Sequence, residues 1–539
     1  MNLLAVELIN ENKLNQSTIL DLGKTGLTEL PGELFECVWL EELILSDEYY
    51  DEREQRSFER EYNGVCNQLY TIPDEISKLK NLKILRAGGH WETGWHLSDY
   101  SFLEKLTGLH TLDLSKNDIE DYRFLKKLAG LKTLNLSNNQ ISDTSSLERL
   151  PNLQILDCSS CEIEDFRFLK KLITLQSLDL SDNQLTDIFF LEGLTNLEIL
   201  MLSANQIRNI SSLEKIGRLK NLDLSGNSIT DISFLEKLSG LQILNLKDNP
   251  LSDISSLEKL TGLHTLDLSS NEIEDYSFLE KLNQLQNLDL TMNKIPDTSF
   301  LGQLPGLHSL RLDYNELSDI GFIQKLTALK SLSLRDNKIS NYNFLEKLTG
   351  LQTLDLSSNY IKDINFLGNL TSLQKLDLRH NLVSNISVLE KLTNLQSLDI
   401  NGNLITDASV LQKLTRLKHL KLGDNQISDI SFLEKLTGLQ WLDISENKKI
   451  SDYSFLEMLS ALRSLDISYN QISDISFLTD LTNLQRLDLR SNQISEISQL
   501  YYLFNFNPST DIRLKGNPVF DLLPPGVVES DWKTIRDEL

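Results

Sequence analysis

Hydrophobic and polar residues alternate in one phrase that returns along almost the whole chain. From Leu109 to Gly130 it reads LHTLDLSKNDIEDYRFLKKLAG, and its asparagine recurs 22 positions further on in the next copy. The copies stay in step until one residue is inserted near Lys449. A fixed period of this length is typical of proteins built from stacked, similar coils. The recurring residues are Asn117, Asn139, Cys161, Asn183, Asn205, Asn227, Asn249, Asn271, Asn293, Asn315, Asn337, Asn359, Asn381, Asn403, Asn425, Asn447, Asn470 and Asn492.

Each copy opens with a two-residue alternation. Leu112 and Leu114 alternate with Asp113 and Ser115, which predicts a short β-strand with leucines facing inward and polar side chains outward. Asn117 follows in a tight turn. Because its amide offers two donors and an acceptor, we expect it to bond backbone groups of neighbouring coils that would otherwise be buried without partners.

An aspartate or asparagine stands four positions after the recurring asparagine. Such residues predict N-caps of the short helical turn that follows, for example in DYRFLKKL. The alternative is a column of metal-binding carboxylates. We favour the caps, because every coil needs one and no oxygen-rich loop accompanies these residues. They include Asp121, Asp143, Asp165, Asp187, Asp231, Asp253 and Asp275, with Asn209, Asn341 and Asn385 as substitutes.

A phenylalanine recurs three positions after the capping residue. We expect these rings to stack as an aromatic spine on the helical side of the coils, and to belong to the core rather than to a ligand site. They are Phe102, Phe124, Phe168, Phe190, Phe234, Phe278, Phe300, Phe322, Phe344, Phe366, Phe432, Phe455 and Phe477.

The whole phrase matches the leucine-rich-repeat pattern L-x-x-L-x-L-x-x-N/C-x-L. Its strand, turn and helical segment predict an α/β fold, a right-handed leucine-rich-repeat solenoid with a concave parallel sheet and short helices or 3₁₀ turns on the convex side. Solenoids present long surfaces rather than closed pockets. The period therefore favours a binding function.

Departures from the period suggest four segments. We predict an N-terminal capping helix at 1–16, irregular repeats at 17–98, regular 22-residue repeats at 99–510, and a last partial repeat with a C-terminal capping helix at 511–539. Insertions at 49–66 and 88–96 interrupt the irregular repeats and contain Tyr, Trp, Arg and His residues. These insertions either belong to a binding face or are degenerate coils whose aromatic residues pack locally.

Charge and composition narrow the function further. The 539 residues carry a net charge of −26, which argues against nucleic-acid binding and favours a partner with a basic surface. The first residues lack the basic segment and apolar run of a signal peptide, and no apolar stretch is long enough to span a membrane. Four cysteines are too few for a secreted disulfide scaffold. We therefore expect a cytoplasmic protein without membrane contact.

The sequence contains no pattern typical of catalysis, a cofactor or a metal site. Cys158 and Cys161 have C-x-x-C spacing, but they replace a strand leucine and the turn asparagine, so we expect them in buried structural positions. The seven histidines are scattered, and no serine lies in a G-x-S-x-G setting. We predict a non-enzymatic protein without a cofactor or metal.

Acidic residues recur at the outward-facing third position of the strands. Carboxylates on neighbouring strands, about 5 Å apart, repel one another unless they are screened or hydrogen-bonded. Aspartate is either simply the repeat consensus here, or it forms an acidic trough that selects basic partners. The positions read Asp113, Asn135, Asp157, Asp179, Met201, Asp223, Asn245, Asp267, Asp289, Arg311, Ser333, Asp355, Asp377, Asp399, Lys421, Asp443, Asp466 and Asp488.

Large aromatic and cationic residues break this pattern between about residues 311 and 490. They are not needed to stack the coils, and such types dominate the energetics of interfaces. We predict that they bind the partner; the alternative is that they neutralise the neighbouring aspartates. They are Arg311, Tyr314, Arg335, Lys375, Arg379, His380, His419, Lys421, Trp441, Tyr469, Arg486 and Arg490.

The repeat and both ends of the chain also carry family resemblances. The form I-x-D-x-x-F-L-x-x-L, as in ISDISFLEKLTGLQ, resembles the repeats of internalins and of phosphatase-regulating proteins. The opening LINENKLNQSTILDLGKTGLTELPGELFECVWLEELILS resembles the start of bacterial Roco-type repeat proteins, and LKGNPVFDLLPPGVVESDWKTIRDEL is similar to the junction after their repeats. Their phosphate-binding loop is not matched, because Gly89-HWET-Gly94 is followed by Trp95 and His96. Nucleotide binding is therefore not expected.

Together these features predict a non-catalytic protein–protein interaction scaffold that binds a protein partner on its concave face. The resemblance of the ends implies the sensor arm of a Roco-like system. Two alternatives stay open. One is a regulatory subunit that wraps a phosphatase or GTPase. The other is an internalin-like surface adhesin, against which the lack of an export signal and of an L-P-x-T-G anchor argues.

Overall fold

Each regular repeat folds into one coil, which consists of a three-residue β-strand, a turn around the recurring asparagine and a short 3₁₀ helix. The computed structural model describes residues 3–51, 56–59, 65–90, 96–119, 121–318, 320–505 and 510–519. The chain divides into two units, Met1–Leu282 and Asn283–Leu539.

In the N-terminal unit, parallel strands pair in chain order from one coil to the next. An antiparallel hairpin of β3 and β4 interrupts the series. The strands are Ile19–Asp21 (β1), Glu42–Ile44 (β2), Glu48–Asp51 (β3), Arg56–Glu59 (β4), Ile84–Arg86 (β5), Thr111–Asp113 (β6), Thr133–Asn135 (β7), Ile155–Asp157 (β8), Ser177–Asp179 (β9), Ile199–Met201 (β10), Asn221–Asp223 (β11), Ile243–Asn245 (β12) and Thr265–Asp267 (β13).

The C-terminal unit repeats this arrangement, again with parallel pairing in chain order. Its strands are Asn287–Asp289 (β14), Ser309–Arg311 (β15), Ser331–Ser333 (β16), Thr353–Asp355 (β17), Lys375–Asp377 (β18), Ser397–Asp399 (β19), His419–Lys421 (β20), Trp441–Asp443 (β21), Ser464–Asp466 (β22), Arg486–Asp488 (β23) and Asp511–Arg513 (β24). The predicted α/β repeat fold is confirmed within each unit.

Short 3₁₀ helices follow the turns. In the N-terminal unit they are Gly32–Glu36, Asp74–Lys78, Ser101–Lys105, Arg123–Lys127, Leu147–Arg149, Arg167–Lys171, Phe189–Leu191, Ser211–Lys215, Ser233–Lys237, Ser255–Lys259 and Ser277–Lys281. In the C-terminal unit they are Ser299–Gln303, Gly321–Lys325, Asn343–Lys347, Asn365–Asn369, Ser387–Lys391, Ser409–Lys413, Ser431–Lys435, Ser454–Met458, Ser476–Asp480 and Ile497–Asn505.

The N-terminal segment contains the predicted helix, α1, over Leu3–Asn15. Ile9 and Asn12 lie on its buried side, and the Asn12 amide donates to the carbonyl of Ile19 at 3.2 Å, at the first strand. Among the described residues, no helix is long and apolar enough to cross a membrane. The predicted C-terminal capping helix lies in 520–539, outside the described residues.

The recurring asparagines form a buried ladder that joins successive coils. The Asn183 amide donates to the carbonyls of Cys158 in the preceding coil (2.7 Å) and Leu180 in its own (3.1 Å). Its side-chain oxygen accepts the N–H of Cys161 at 3.2 Å. The predicted role of the ladder is confirmed. Cys158 and Cys161 are both fully buried, and the Cys161 thiol donates to the carbonyl of Leu136 at 3.0 Å in place of the amide.

Most of the predicted caps are also formed, although Asp187 accepts no such bond from Phe189 in the described part of the chain. The Asp121 carboxylate accepts the N–H of Arg123, the first residue of its 3₁₀ helix, at 2.9 Å. Asn209 accepts the N–H of Ser211 at the same distance. The capping side chain lies one residue before the residue that borders the 3₁₀ helix. A carboxylate and an amide oxygen therefore serve equally well at this place.

The aromatic spine is formed in part. Tyr342 stacks on Phe366, and the two ring centroids lie 5.5 Å apart. The prediction is wrong for Phe322, which is 43% exposed. Tyr342 belongs to the coil before Phe366. The equivalent residue in the coil before Phe322 is Thr298, so no ring stacks on Phe322 from that coil. Phe190, Phe234 and Phe455 are half-buried.

Candidate protein-binding surface

Outward-facing side chains of successive strands form rows, because the strands of each unit pair without a shift in register. In the C-terminal unit the first strand position places Lys375, Ser397, His419 and Trp441 next to one another in that order. We call the outward side of these strands, together with the turn residues that follow them, the sheet face.

The residues predicted to bind a partner all lie on the sheet face of the C-terminal unit, in four rows. Lys375, His419, Trp441 and Arg486 occupy the first strand position, Arg311 and Lys421 the third, Arg335, Arg379 and Arg490 the position two residues beyond the strand, and Tyr314, His380 and Tyr469 the following turn position.

His419 and Trp441 form an exposed aromatic pair. Their ring centroids lie 4.7 Å apart with the planes inclined by 39°, and Trp441 is 52% exposed. Partial burial lowers the pKa of His419, and the charges of Lys375, Lys418 and Lys421 lower it further. The imidazole is therefore neutral at pH 7, and the pair offers an uncharged aromatic platform beside lysine side chains.

Several of the candidate cations pair with acids of the same unit. The pairs are Arg311 with Asp289 (3.5 Å) and Asp313 (3.2 Å), Arg379 with Asp377 (3.1 Å), Lys421 with Asp399 (3.3 Å), Arg486 with Asp511 (3.8 Å) and Arg490 with Asp488 (2.6 Å). These pairs agree with the alternative interpretation of the sequence, in which the cations neutralise neighbouring aspartates. The cationic side chains of these pairs are 33–55% exposed, whereas Asp313 and Asp488 are only 4% and 3% exposed. A partner's carboxylate can therefore reach the cations more readily than a partner's cation can reach these acids.

The acids at the third strand position hydrogen-bond to the backbone of their own coils. Asp443 accepts both the N–H (2.9 Å) and the hydroxyl (2.6 Å) of Ser445, and Asp466 accepts the same two groups of Ser468. In the N-terminal unit, the neutral Asn135 makes the equivalent backbone bond at 2.9 Å. An uncharged oxygen acceptor thus serves this turn as well as a carboxylate does, which favours the interpretation of these aspartates as repeat consensus.

Some carboxyls at this position also carry a perturbed pKa. The pKa of Asp377 is raised to about 6, first by burial and then by the carboxylates of Asp355 and Asp399, although the N–H of Arg379 opposes the shift. Burial likewise raises the pKa of Asp466. Both carboxyls therefore take up a proton at a higher pH than an ordinary aspartate does.

A neighbouring coil supplies the missing acceptor where Lys421 replaces the aspartate. The Asn401 side-chain oxygen accepts the N–H of Gly423 at 2.6 Å, and its amide nitrogen donates to Asp443 at 2.8 Å. A Cβ at Gly423 would lie 2.7 Å from the hydroxyl of Ser445, so a side chain there would displace that hydroxyl from its place beside Asp443. The consensus serine is replaced by Asn401 in one coil and by Gly423 in the next, and together these residues accommodate Lys421.

A similar arrangement supports Arg335, whose strand ends in Ser333 instead of aspartate. Asp313 in the preceding coil accepts the N–H of Arg335 at 2.9 Å. The Arg335 guanidinium carbon lies 5.3 Å from the ring centroid of Tyr314, a distance typical of a cation–π contact. Tyr314 is 39% exposed, so the contact leaves part of its ring accessible.

The position of the exposed His380 ring requires the glycine at the equivalent turn position of the next coil. Both His380 and Gly402 have positive φ angles, +55° and +63°. A Cβ at Gly402 would lie 2.6 Å from Nδ1 of the imidazole. The glycine therefore makes room for the ring at this edge of the sheet face.

Sequence analysis missed an apolar edge beside the turn row. Tyr360, Leu382 and Leu404 each follow a ladder asparagine and are 79%, 36% and 45% exposed. They stand on adjoining coils, since the N–H of Leu382 bonds to the carbonyl of Ile361 at 2.9 Å. Most other copies have a polar residue at this place, such as Gln140. Apolar residues at the same repeat position in three successive copies were thus a signal available in the sequence.

The repeat geometry agrees with a family comparison. A family model described as Leucine Rich repeats (2 copies) matches more than half of the chain, at residues 130–171, 173–215, 218–259, 261–303, 327–369, 371–413, 415–458 and 460–502. The chain belongs to the leucine-rich-repeat family. A single-repeat model of the same kind matches residues 105–121. No curated protein matches the sequence.

Solved structures of other leucine-rich-repeat proteins are similar to this chain. The internalin InlF from Listeria monocytogenes is 33% identical with a TM-score of 0.43, and the match covers 63% of this chain and 87% of that one. A TLR13–ssRNA13 complex (23% identity, TM-score 0.56) covers 90% and 83%. A TDR receptor (22% identity, TM-score 0.50) covers 83% and 82%. The last two share the fold.

Proposed function

We propose that this leucine-rich-repeat protein is a non-catalytic interaction scaffold, and that a protein partner binds the sheet face of its C-terminal unit. The observation that carries the proposal is the exposed His419–Trp441 pair. Coil stacking does not require these rings, since the inward side of both strands is filled by Leu420 and Leu442, which are 0% and 2% exposed.

The exposed half of Trp441 offers substantial binding energy. An aromatic side chain buries about 150–250 Å², so covering half of one removes about 100 Å² from water. At about 25 cal/mol per Å² this is worth about 2–3 kcal/mol. Trp and Arg are also the residue types most enriched among interface hot spots. Trp441 is therefore the expected anchor, and Arg379 the expected charged contact.

The surroundings define the chemistry of the partner. The partner would present apolar side chains to Trp441 and to the edge formed by Tyr360, Leu382 and Leu404. It would also present charged groups of both signs, because cations such as Arg379 and Lys421 stand beside acids on this face. The net charge of −26 favours faster association with a partner that has a basic surface.

Affinity capture with the tagged full chain, followed by mass spectrometry and titration of the captured protein, tests the proposal. The double variant Arg379→Ala/Trp441→Ala should bind the partner at least tenfold more weakly with an almost unchanged melting temperature. The matched control is Arg416→Ala/Tyr501→Ala, which removes an exposed arginine and an exposed tyrosine away from the sheet face. Equal affinity of both double variants would contradict the assignment of the surface.

The identity of the captured partner addresses the finer proposals. The resemblance of the chain's ends to Roco-type proteins supports a sensor arm, for which a GTPase should be captured. A phosphatase would instead support a regulatory subunit. Labelling of the protein on intact cells would support an internalin-like adhesin and contradict a cytoplasmic location.

A further inference from the structure

Three side chains of metal-ligand type meet in the N-terminal unit. Asp47 and Cys66 belong to the second coil, and His90 belongs to the coil that stacks on it through strands β2 and β5. One potential ligand atom from each residue lies within 4.8 Å of the other two. The Cys66 sulfur lies 3.8 Å from Nε2 of His90.

Asp47 holds one carboxylate oxygen on backbone groups and faces the Cys66 thiol. Its side chain is buried, with 2% exposed, and its Oδ1 accepts the N–H groups of Lys24 at 2.6 Å and Asn67 at 3.5 Å. Among the described residues, its Oδ2 is buried and has no hydrogen-bond partner. A buried carboxylate oxygen without a partner is costly. A bound cation would remove that cost, while the backbone bonds to Oδ1 would orient the ligand.

The distance between the Cys66 sulfur and the His90 nitrogen fits a tetrahedral ion. Bond lengths of about 2.3 Å to sulfur and about 2.0–2.1 Å to nitrogen place those two ligand atoms about 3.6 Å apart at a tetrahedral angle. The observed 3.8 Å is close to that value. Thiolate, imidazole and carboxylate are all ligands of Zn²⁺. Glu48 lies nearby, but its carboxylate pairs with Lys116 at 2.9 Å, so it leaves the fourth position to water.

We propose that Asp47, Cys66 and His90 form a binding site for a divalent transition metal of the Zn²⁺ type. The ion would tie the base of the first insertion to the next coil, since Asp47 directly precedes strand β3 of the hairpin and Cys66 directly precedes the ladder residue Asn67. The three residues are far apart in the sequence and match no short metal-binding motif. Only the stacking of the two coils brings them together.

The experiment uses the full chain, freed of metal by a chelator and titrated with Zn²⁺ alone in a calorimeter. We expect one ion per chain, and at least tenfold weaker binding for Cys66→Ser and for Asp47→Asn, which keeps an oxygen for the backbone N–H groups. Cys37→Ser is the matched control, because Cys37 is a buried free thiol elsewhere in the same unit. Failure to bind, or equal binding by Cys66→Ser and wild type, would overturn the proposal.

Cobalt spectroscopy keeps the test decisive if a variant misfolds. Co²⁺ bound to the wild-type chain should show a thiolate charge-transfer band and the intense visible bands of tetrahedral coordination, and Cys37→Ser should retain both. A weak octahedral spectrum without a thiolate band would overturn the proposal. It would leave the thiol and imidazole as a part-buried polar pair, and would not bear on partner binding by the C-terminal unit.

Discussion

Replacing one ladder asparagine by leucine tests how the coils are held together. In the C-terminal unit, the Asn403 side-chain oxygen accepts the N–H of Val383 at 3.0 Å. Its amide nitrogen donates to the carbonyls of Leu378, Ile400 and Asn401 at 3.0–3.2 Å. Asn403→Leu removes all four bonds while keeping a side chain of similar length.

The free-energy cost of Asn403→Leu comes mainly from the loss of the acceptor for the N–H of Val383. The carbonyls of Leu378 and Ile400 keep other donors, the ladder amides of Asn381 at 2.9 Å and Asn425 at 3.0 Å. The N–H of Val383 has no second acceptor among its described contacts, and a buried donor left unsatisfied costs about 1–3 kcal/mol. We therefore expect a local destabilisation of about 2 kcal/mol.

Cys161 provides the control for this reasoning, because it occupies the same ladder position naturally. Its thiol still donates to a carbonyl of the preceding coil, and the N–H of Ile141 turns to the backbone carbonyl of Cys161 at 3.0 Å. Asn403→Cys should therefore lower the local stability by about half as much as Asn403→Leu does. The branched end of leucine supplies no donor, and it fills the space into which the backbone would have to move to form the substitute bond.

Hydrogen exchange followed by mass spectrometry is the suitable assay, because repeat arrays open locally rather than all at once. A loss of about 2 kcal/mol corresponds to about 30-fold faster exchange of amides in the coils around Val383 and Asn403. Wild-type exchange rates in Asn403→Leu would refute the ladder argument. Equal effects of leucine and cysteine would refute the adjustment inferred from Cys161.

Two further predictions concern the acceptors of the N-terminal unit. Burial and the carboxylate of Asp179 raise the pKa of Asp157 well above 3.8, so the folded state binds more protons and stability falls as pH rises from about 4 toward neutrality. Asp157→Asn should abolish that fall and raise the melting temperature at pH 8, and an unchanged pH profile would contradict the shift. Asp231 caps the 3₁₀ helix through the N–H of Ser233 at 2.8 Å. Asp231→Ala should lose about 0.5–2 kcal/mol locally by hydrogen exchange, whereas Asp231→Asn should match wild type because Asn209 caps in the same way.

Repeat positions that determine backbone bonding were predictable from the sequence. The strand leucines, the ladder and the caps each satisfy a requirement that every coil shares, so each leaves a residue at a fixed place in the period. Phe322 shows the limit of this reasoning. Its repeat position is that of a core residue, but its side chain is 43% exposed, whereas Phe432 at the same repeat position is 5% exposed, so the position alone does not determine burial.

Features that depend on several coils were not predictable from any one repeat. The hairpin of β3 and β4 lies within an insertion without a period. Asp47, Cys66 and His90 share no motif and meet only because their coils stack. The candidate surface was found as a set of unusual residues, and the pairing of its cations with acids was one of the two alternatives that the sequence left open. Which acid each cation meets follows from the spacing between strands and from rotamers, which the sequence does not specify.

The coils around Lys421 differ from the consensus in ways that the stability of the fold does not require. In most coils the turn after the strand has an oxygen acceptor for its backbone, and aspartate followed by serine supplies one within a single coil, as Asp443 and Ser445 show. With Lys421 in place of the aspartate, the acceptor comes from Asn401 in the preceding coil. Glycine at position 423 avoids close contact between a side chain and the next coil. Stability alone would be served by the simpler consensus pair. The lysine and its two accommodating residues, beside an exposed tryptophan, therefore have their best physical explanation in a contact outside the fold, which is why the proposed partner is placed on these coils.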